Sequence, residues 1–341
     1  MSVDPSADLR ASRRVALALR LALLAIAVIG LTAVLWANGL HHDSTYGDAW
    51  NYLAAGERLN AGHPLYALSP GDRPVVLMPP YWSVPLLSPP PIAVVWRPLA
   101  ALGEASLTIW NVANVLAIAG SVVWLCRSLD VVPLLAVALT SPALGMLAWS
   151  GNVNGFVLAG MLVLHARRDV PIVAGTVLAL LVGLKITPIF LVVWLIGTRR
   201  WAAARWMLAV LVLVVAATVA AAGPASLAEW LAATASSAPS PLSLAHLFGM
   251  SPLVVALGLG AFVAAVALRW PERGAFAVAA VASALASPAL YFQALAVLCG
   301  AAAPWSSGRA LSQAGWAAPT KPVPGLVPAT SRPEQPGAGS G

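Results

Sequence analysis

Long apolar runs separated by short polar clusters make up most of this chain. A helix needs about 20 apolar residues to cross the hydrocarbon core of a bilayer. The runs are continuous and rich in Leu, Ala and Val, without the alternation of polar and apolar positions that is typical of strands in a membrane barrel. The pattern therefore predicts an all-α fold, a polytopic bundle of transmembrane helices.

The positions of the spans follow from the lengths of the apolar runs and their polar ends. Several runs are shorter than a full crossing needs, so we expect about ten spans, give or take two. Short, broken spans tend to line cavities, since lipid cannot satisfy the backbone groups that a break leaves free. The predicted segments are residues 15–37, 105–126, 131–149, 155–165, 171–184, 186–197, 206–222, 252–268, 274–286 and 289–303.

Basic residues cluster between the apolar runs, and this distribution predicts an orientation. If the N-terminus is cytoplasmic, alternating spans place every cluster on the inner side, as the positive-inside rule requires. The clusters contain Arg10, Arg13 and Arg14; Arg127; Arg167 and Arg168; Arg199, Arg200 and Arg205; and Arg269 and Arg273. We therefore expect a multi-pass membrane protein with its N-terminus in the cytoplasm.

The same map divides the chain into three parts. Residues 1–14 form a basic cytoplasmic lead, and residues 15–303 form the membrane domain. Two less hydrophobic stretches, 38–104 after the first helix and 223–251 later, become extracytoplasmic loops. Residues 304–341 are rich in Pro, Gly and Ser, a composition that predicts a disordered cytoplasmic tail.

Composition excludes a soluble protein and several classes of function. The 341 residues are 60% hydrophobic and 9% charged, whereas a soluble domain averages roughly 25% charged residues. The net charge of +7 is explained by the inner arginine clusters rather than by nucleic acid. No phosphate-binding glycine loop or HExxH occurs, and Cys126 and Cys299 lack the spacing of metal ligands. We expect membrane lipids as partners, and no cofactor, metal or nucleic acid.

Asp48 is the first candidate for chemistry, because it follows the first span on the predicted outer side. Trp50, Leu53 and Glu57 follow at helical spacing, which predicts a short amphipathic helix along the interface. An acid at the start of this helix can act as general base on an acceptor hydroxyl. The alternative is structural, since Thr45-x-x-Asp48 resembles a capping box.

Lys185 is the second candidate, because it interrupts an otherwise apolar stretch. The other lysine, Lys321, lies in the tail. An intramembrane charge suggests function, and a buried ammonium that faces a cavity can neutralise a phosphate or diphosphate. The alternative is that Lys185 snorkels from a helix end to the membrane surface.

Asn152 and Asn154 lie in a polar break between two apolar runs. Their amides can bind sugar hydroxyls, or they can satisfy backbone groups that the break frees. The sequence leaves both interpretations open. Gln293, a polar residue in the last apolar run, is a weaker candidate.

Other polar and aromatic residues have simpler explanations. We expect an aromatic belt at the membrane surface, formed by Tyr66, Tyr81, Trp82 and Trp96. We expect solvated loop charges at Glu57, Arg58, Asp72 and Arg73. The histidines do not cluster at ligand spacing.

A series of short motifs between residues 15 and 300 resembles one family of membrane enzymes. The motifs are Gly47-Asp48-Ala49-Trp50-Asn51-Tyr52; Gly62-His63-Pro64-Leu65-Tyr66; Pro89-Pro90-Pro91 with Arg97-Pro98-Leu99-Ala100; Gly151-Asn152-Val153-Asn154; Lys185-Ile186-Thr187-Pro188; and Arg199-Arg200-Trp201. Each motif is weak alone, but their order and spacing resemble glycosyltransferase family 87. This family consists of bacterial α-mannosyltransferases of the GT-C class.

The resemblance implies a reaction and a set of site residues. Mannose would be transferred from polyprenyl-phosphate mannose to a lipid-linked or cell-envelope glycan, at the outer face of the bacterial cell membrane. Asp48 would be the general base. The resemblance and the local patterns together give the substrate-binding candidates Lys185, Asn152, Asn154, Tyr52, Tyr66 and Gln293.

The chain departs from the family pattern in two motifs, and these departures keep other functions open. The family often reads Ser-Pro-x-x-Trp-x-His-His near its end, whereas this chain reads Ser287-Pro288-Ala289-Leu290-Tyr291-Phe292-Gln293-Ala294. Asn152 also replaces a glutamine. The missing histidines favour a non-catalytic relative that binds a lipid-linked glycan. Lys185 and the broken helices favour a lipid or sugar transporter, although the spans lack the deep acidic residues of a proton-coupled carrier.

Overall fold

A computed structural model describes residues 5–39, 47–72 and 86–306, and these ranges are helical with no β-strand. The helices are α1 (Pro5–Gly39), α2 (Gly47–Ala61), α3 (Pro91–Ala100), α4 (Ala105–Cys126), α5 (Val131–Ser150), α6 (Asn154–Ala166), α7 (Pro171–Leu184), α8 (Phe190–Gly197), α9 (Trp201–Ala222), α10 (Ala225–Ser236), α11 (Leu244–Leu247), α12 (Pro252–Arg269), α13 (Glu272–Leu285) and α14 (Ala303–Ser306). A 3₁₀ turn, Thr187–Ile189, leads into α8, and a longer 3₁₀ helix, Phe292–Ala302, leads into α14. The prediction of an all-α polytopic bundle is confirmed.

The described part of the chain contains apolar helices of two lengths. Among the described residues, five helices are long and apolar enough to span a bilayer: Arg14–Val34, Ala105–Cys126, Val131–Ser150, Trp201–Ala222 and Pro252–Arg269. Shorter apolar helices lie at Asn154–Ala166, Pro171–Leu184, Thr187–Gly197 and Phe292–Ser306. The predicted total of about ten counted both kinds.

The short helices α6 and α7 define two ends of the bundle. Their 13 and 14 residues correspond to about 20 Å each, less than the roughly 30 Å of a hydrocarbon core. α6 runs from Asn154 toward Arg167, and α7 returns from Pro171 to Leu184. Asn154 and Leu184 therefore lie at one end of this pair, and the arginines lie at the other.

An ion-pair network joins three connections at the arginine end. Arg168 Nε lies 2.8 Å from Glu272 Oε1, and Arg200 Nη2 lies 3.0 Å from the same oxygen. Arg200 also donates to Asp169 Oδ1 at 3.0 Å. The network fixes the ends of α6, α8 and α13 relative to one another, while the excess of arginines makes this end of the bundle basic.

The predicted loop 38–104 contains packed helices rather than only irregular chain. Helices α2 and α3 bury an aromatic cluster in which the Tyr52 and Trp96 rings lie 6.1 Å apart and the Trp96 and Trp110 rings 5.1 Å apart. A Cβ on Gly56 would lie 2.7 Å from the Trp96 carbonyl oxygen, so the two helix backbones approach closely. Trp96 is 0% exposed, and its assignment to an aromatic belt was wrong. This cluster packs α2 and α3 against α4.

Two loop charges were also predicted wrongly as solvated. Arg58 is 6% exposed, because α2 is buried on almost every side. The Asp72 carboxylate contacts His63 Nδ1 at 2.7 Å and accepts the Ser69 N–H at 2.7 Å. These hydrogen bonds hold the pKa of Asp72 below its ordinary value. Arg73, together with Tyr81 and Trp82 of the predicted aromatic belt, lies outside the described residues.

Helical structure continues beyond residues 15 and 303, the predicted bounds of the membrane domain, at both ends. Helix α1 begins at Pro5, so most of the predicted lead 1–14 continues the first span as helix. The sequence Ala-Asp-Leu-Arg-Ala that follows Ser6 consists largely of good helix formers. At the other end, α14 includes Pro304 and Ser306, both buried, which the prediction assigned to the tail. The remainder of the predicted tail, residues 307–341, lies outside the described residues.

Candidate active site

A helix break between α5 and α6 supplies the frame of the candidate site. Gly151 ends α5 with a φ of 67°, in the left-handed region that favours glycine. The Trp110 indole N–H donates to the Gly151 carbonyl at 2.7 Å. A Cβ on Gly151 would lie 2.9 Å from the Ala49 Cβ. The break therefore fits directly against the first turn of α2.

The amide of Asn152 satisfies part of this break. The side-chain Oδ1 of Asn152 accepts the Asn154 backbone N–H at 2.9 Å, and the backbone N–H of Asn152 donates to Ser150 Oγ at 3.3 Å. The Tyr52 hydroxyl accepts the Val153 N–H at 3.4 Å. Asn152 therefore bonds to a backbone group that the break leaves free, as one of its two interpretations predicted. This bond uses only the oxygen of its side-chain amide.

Asp48 lies in the first turn of α2, facing the break. Its Oδ2 accepts from Gln293 Nε2 at 3.3 Å, and the side chains of Asn152 and Ser150 also form hydrogen bonds with its carboxylate. Burial raises the pKa of the Asp48 carboxyl, whereas these hydrogen bonds and the charge of Lys185 act in the opposite direction. Thr45, which the capping-box interpretation requires, lies outside the described residues.

Lys185 follows α7 in an extended conformation, with φ −152° and ψ 125°. Pro188 is the second residue of the following 3₁₀ turn, and it has no N–H to donate to the Leu184 carbonyl, so α7 cannot continue through it. The Lys185 Nζ donates to Asn154 Oδ1 at 2.9 Å, so the ammonium bonds to the bundle interior. Asn154 Nδ2 has no hydrogen-bond partner within the described part of the chain. The Lys185 ammonium and the Asn154 amide therefore lie at the same helix break that Asp48 faces.

Four residues of the site are partly exposed within the described part of the chain. They are Asp48, Asn152, Lys185 and Gln293, whereas Asn154 is 1% exposed. A site that combines a carboxylate, an ammonium and several amides can bind a polar group with an anionic part.

Tyr66 does not join this group. Its hydroxyl donates to the Ser88 carbonyl at 2.8 Å, and the charges of Glu229 and Arg58 act on it. Tyr52 contacts the break through the Val153 N–H, and its ring packs against Trp110. The hydroxyl groups of Tyr52 and Tyr66 both bond to backbone groups of the fold.

Sequence reasoning missed two residues that shape the break. The Ser150 side chain forms a hydrogen bond with the Asp48 carboxylate. Its position immediately before Gly151 in a polar break is the sequence signal that could have identified it. Asn114 Nδ2 donates to the Leu147 carbonyl at 3.2 Å, and Asn114 Oδ1 occupies the space where a Cβ on Gly155 would lie. Asn114 lies one helical turn after Trp110, but nothing in the surrounding sequence predicts its contacts with Leu147 and Gly155.

The fold and the site define a polytopic membrane protein with a polar site at the end of its short helices. The sequence model of Glycosyltransferase family 87 matches residues 87–292, more than half of the chain. Comparison with curated proteins and with solved structures finds no match. The chain belongs to glycosyltransferase family 87 and is a membrane glycosyltransferase.

Proposed function

We propose that this protein transfers mannose from polyprenyl-phosphate mannose to a lipid-linked or cell-envelope glycan, with Asp48 as general base. The observation that carries the proposal is that Asp48 and Lys185 bond to the two asparagines of one helix break, Asp48 to Asn152 and Lys185 to Asn154. A carboxylate and an ammonium at the same break suit a reaction that takes up a proton and releases a phosphate.

In the proposed step, an acceptor hydroxyl oxygen bonds to C1 of mannose while the bond from C1 to the phosphate oxygen breaks. The hydroxyl proton passes to the Asp48 carboxylate, and polyprenyl phosphate leaves with the bonding electron pair. Because the leaving group is already a phosphate, the protein has to position the acceptor, accept the proton and stabilise the anion.

Lys185 and Asn154 fit the part of the site that holds the phosphate. The ammonium is fixed by Asn154 Oδ1, and the unpartnered Nδ2 of the same amide offers a second donor. A pre-arranged pair of donors stabilises charge that develops on the leaving oxygen without reorganising during the reaction. Asn152, which is partly exposed, gives one amide hydrogen to Asp48 and offers the other to a sugar hydroxyl.

Gln293 supports a catalytic function in a chain that lacks the family's histidines. In the alignment of motifs, Gln293 stands where the first histidine of Ser-Pro-x-x-Trp-x-His-His is found. It donates a hydrogen bond to Asp48. A hydrogen-bond donor is therefore kept at this position, which favours an enzyme over a non-catalytic binder.

The charge distribution supports an orientation with the site at the extracytoplasmic side of the bacterial cell membrane. The opposite end of α6 and α7 carries Arg167, Arg168 and Arg200, and positively charged loops favour the cytoplasm. The N-terminus is then cytoplasmic. A lipid-borne donor suits this location.

The proposal is tested by offering several donors to the purified protein in liposomes. We expect transfer of labelled sugar to a bacterial lipid extract from polyprenyl-phosphate mannose, and none from GDP-mannose, because the site binds a lipid-linked phosphate. Polyprenyl-phosphate glucose serves as the control for the sugar. Equal use of the glucose donor would contradict mannose specificity, and no transfer with any donor would favour the non-catalytic alternative.

The hydrogen bond from Gln293 predicts a change in pH dependence. Asp48 acts as base only when deprotonated, and the Gln293 bond lowers its pKa. In Gln293→Leu that pKa rises further, so the acidic limb of the activity profile moves to higher pH. We expect transfer on the acidic side to fall roughly threefold to tenfold and to approach that of wild type on the alkaline side. A profile that is unchanged, or that moves to lower pH, contradicts the role of this bond.

A further inference from the structure

One buried polar group near the site remains without a partner. Asn51 lies in α2 one helical turn after Asp48 and is 8% exposed. Its Oδ1 makes no hydrogen bond with the part of the chain that the structure describes. Burying a polar atom without a partner costs free energy comparable to a lost hydrogen bond. A hydroxyl of a bound ligand is a donor that can supply this partner.

Other amide atoms near the break also lack a partner within the described residues: Asn111 Oδ1, Asn114 Oδ1 and Asn154 Nδ2. The amides of Asn114 and Asn154 each make one hydrogen bond through their other atom, to the Leu147 carbonyl and to Lys185 Nζ. Asn51 differs from all three because it belongs to α2, one helical turn from the proposed base.

The position of Asn51 around α2 separates it from the donor side. Successive residues of an α-helix are about 100° apart. Tyr52 points to the break, where its hydroxyl meets the Val153 N–H. Asn51 is rotated from Tyr52 by that angle, on the other side of Asp48. The carboxylate therefore lies between the break with Lys185 on one side and Asn51 on the other.

The geometry points to Asn51 as a residue that binds the acceptor sugar, at a hydroxyl next to the one that reacts. This inference rests on the proposed function. The unpartnered atom is an acceptor, so its missing partner is a donor such as a hydroxyl. Side chains one helical turn apart have Cβ atoms about 5–6 Å apart, a spacing at which they can bind neighbouring hydroxyls of one ring. Asp48 receives the proton of one hydroxyl, and Asn51 Oδ1 accepts a hydrogen bond from the other.

Water as an alternative acceptor provides the test. In hydrolysis, water oxygen bonds to C1, the C1–O bond to phosphate breaks, and the water proton passes to Asp48. This reaction needs the base and the donor side but no second hydroxyl. We expect Asn51→Ala to lower transfer to glycan acceptors of a bacterial lipid extract about tenfold, while hydrolysis of polyprenyl-phosphate mannose stays within about twofold of wild type.

The ratio of glycan-bound to free mannose is measured in one reaction, so a loss of folded protein cancels. The half-saturating amount of lipid extract should rise in Asn51→Ala, with that of the donor unchanged. Asn51→Ser, which keeps a hydrogen-bonding oxygen, should recover part of the ratio. The matched control is Asn60→Ala, on the same helix but exposed and bonded to the Arg97 carbonyl at 2.9 Å; its ratio should equal that of wild type.

Two results overturn the role of Asn51. The first is a ratio in Asn51→Ala equal to that of wild type. The second is a parallel fall of both reactions, which marks Asn51 as structural. If the wild-type protein neither hydrolyses nor transfers mannose, the proposed function fails and the role of Asn51 fails with it.

Discussion

Asp48→Asn should lower transfer from polyprenyl-phosphate mannose roughly 10³-fold, within the range typical of a lost general base. Asparagine has nearly the same shape and can still accept the hydrogen bond from Gln293, but it cannot take up the acceptor proton. The measurement is the initial rate of transfer in liposomes at saturating donor. Hydrolysis of the donor should fall as well, because water also loses its proton to Asp48.

Asp130→Asn is the control for the removal of an acid. Asp130 precedes α5 at the opposite end of that helix and makes no capping hydrogen bond through its side chain. Its rate should remain within about twofold of wild type, the range of a surface substitution. Thermal unfolding in detergent should show that Asp48→Asn remains folded, since asparagine has nearly the same shape and keeps an oxygen that accepts from Gln293. A folded Asp48→Asn with undiminished transfer would remove the base from the mechanism.

Lys185→Met should lower transfer about 10²-fold, and the donor concentration at half-saturation should rise. Methionine keeps much of the length and apolar character of the side chain but loses the ammonium that the proposed mechanism puts against the phosphate. The charge of Lys185 also lowers the pKa of Asp48. Its removal therefore moves the acidic limb of the activity profile to higher pH, as does Gln293→Leu.

Lys185→Arg separates charge from shape. A guanidinium keeps the positive charge but is larger and planar, so it cannot reproduce the bond to Asn154 Oδ1 at the same distance. We expect activity between that of wild type and Lys185→Met, with an acidic limb close to that of wild type. If Lys185→Met has an unchanged half-saturation for the donor, Lys185 does not bind the phosphate.

The sequence was sufficient to predict the site residues that are polar within or between apolar runs. A lysine within an apolar run and a pair of asparagines between two runs are unusual in lipid, and Lys185 and Asn154 do lie together in the fold. Helix α2 was predicted from the spacing of Trp50, Leu53 and Glu57. These signals are local, so they can be read from a short window.

Contacts between distant segments could not be predicted in this way. Gln293 and Asp48 are separated by 245 positions, and their contact depends on how α13 and the following 3₁₀ helix pack. The burial of Arg58 and Trp96 has the same origin, because a charge or an indole in a loop has no local signal that helices will cover it. Asn51 was part of a motif, but only its missing partner distinguishes it.

The 3₁₀ helix Phe292–Ala302 has a consequence for the thickness of the bundle. A 3₁₀ helix rises about 2.0 Å per residue, compared with 1.5 Å in an α-helix. Its 11 residues therefore extend about 22 Å, close to the roughly 20 Å of the 13-residue α6 and the 14-residue α7. Stretching the backbone compensates for a short segment, so that Gln293 is level with the helix break while the other end still reaches α14. The 3₁₀ form therefore lets these residues cover a distance for which an α-helix would need about 15 residues.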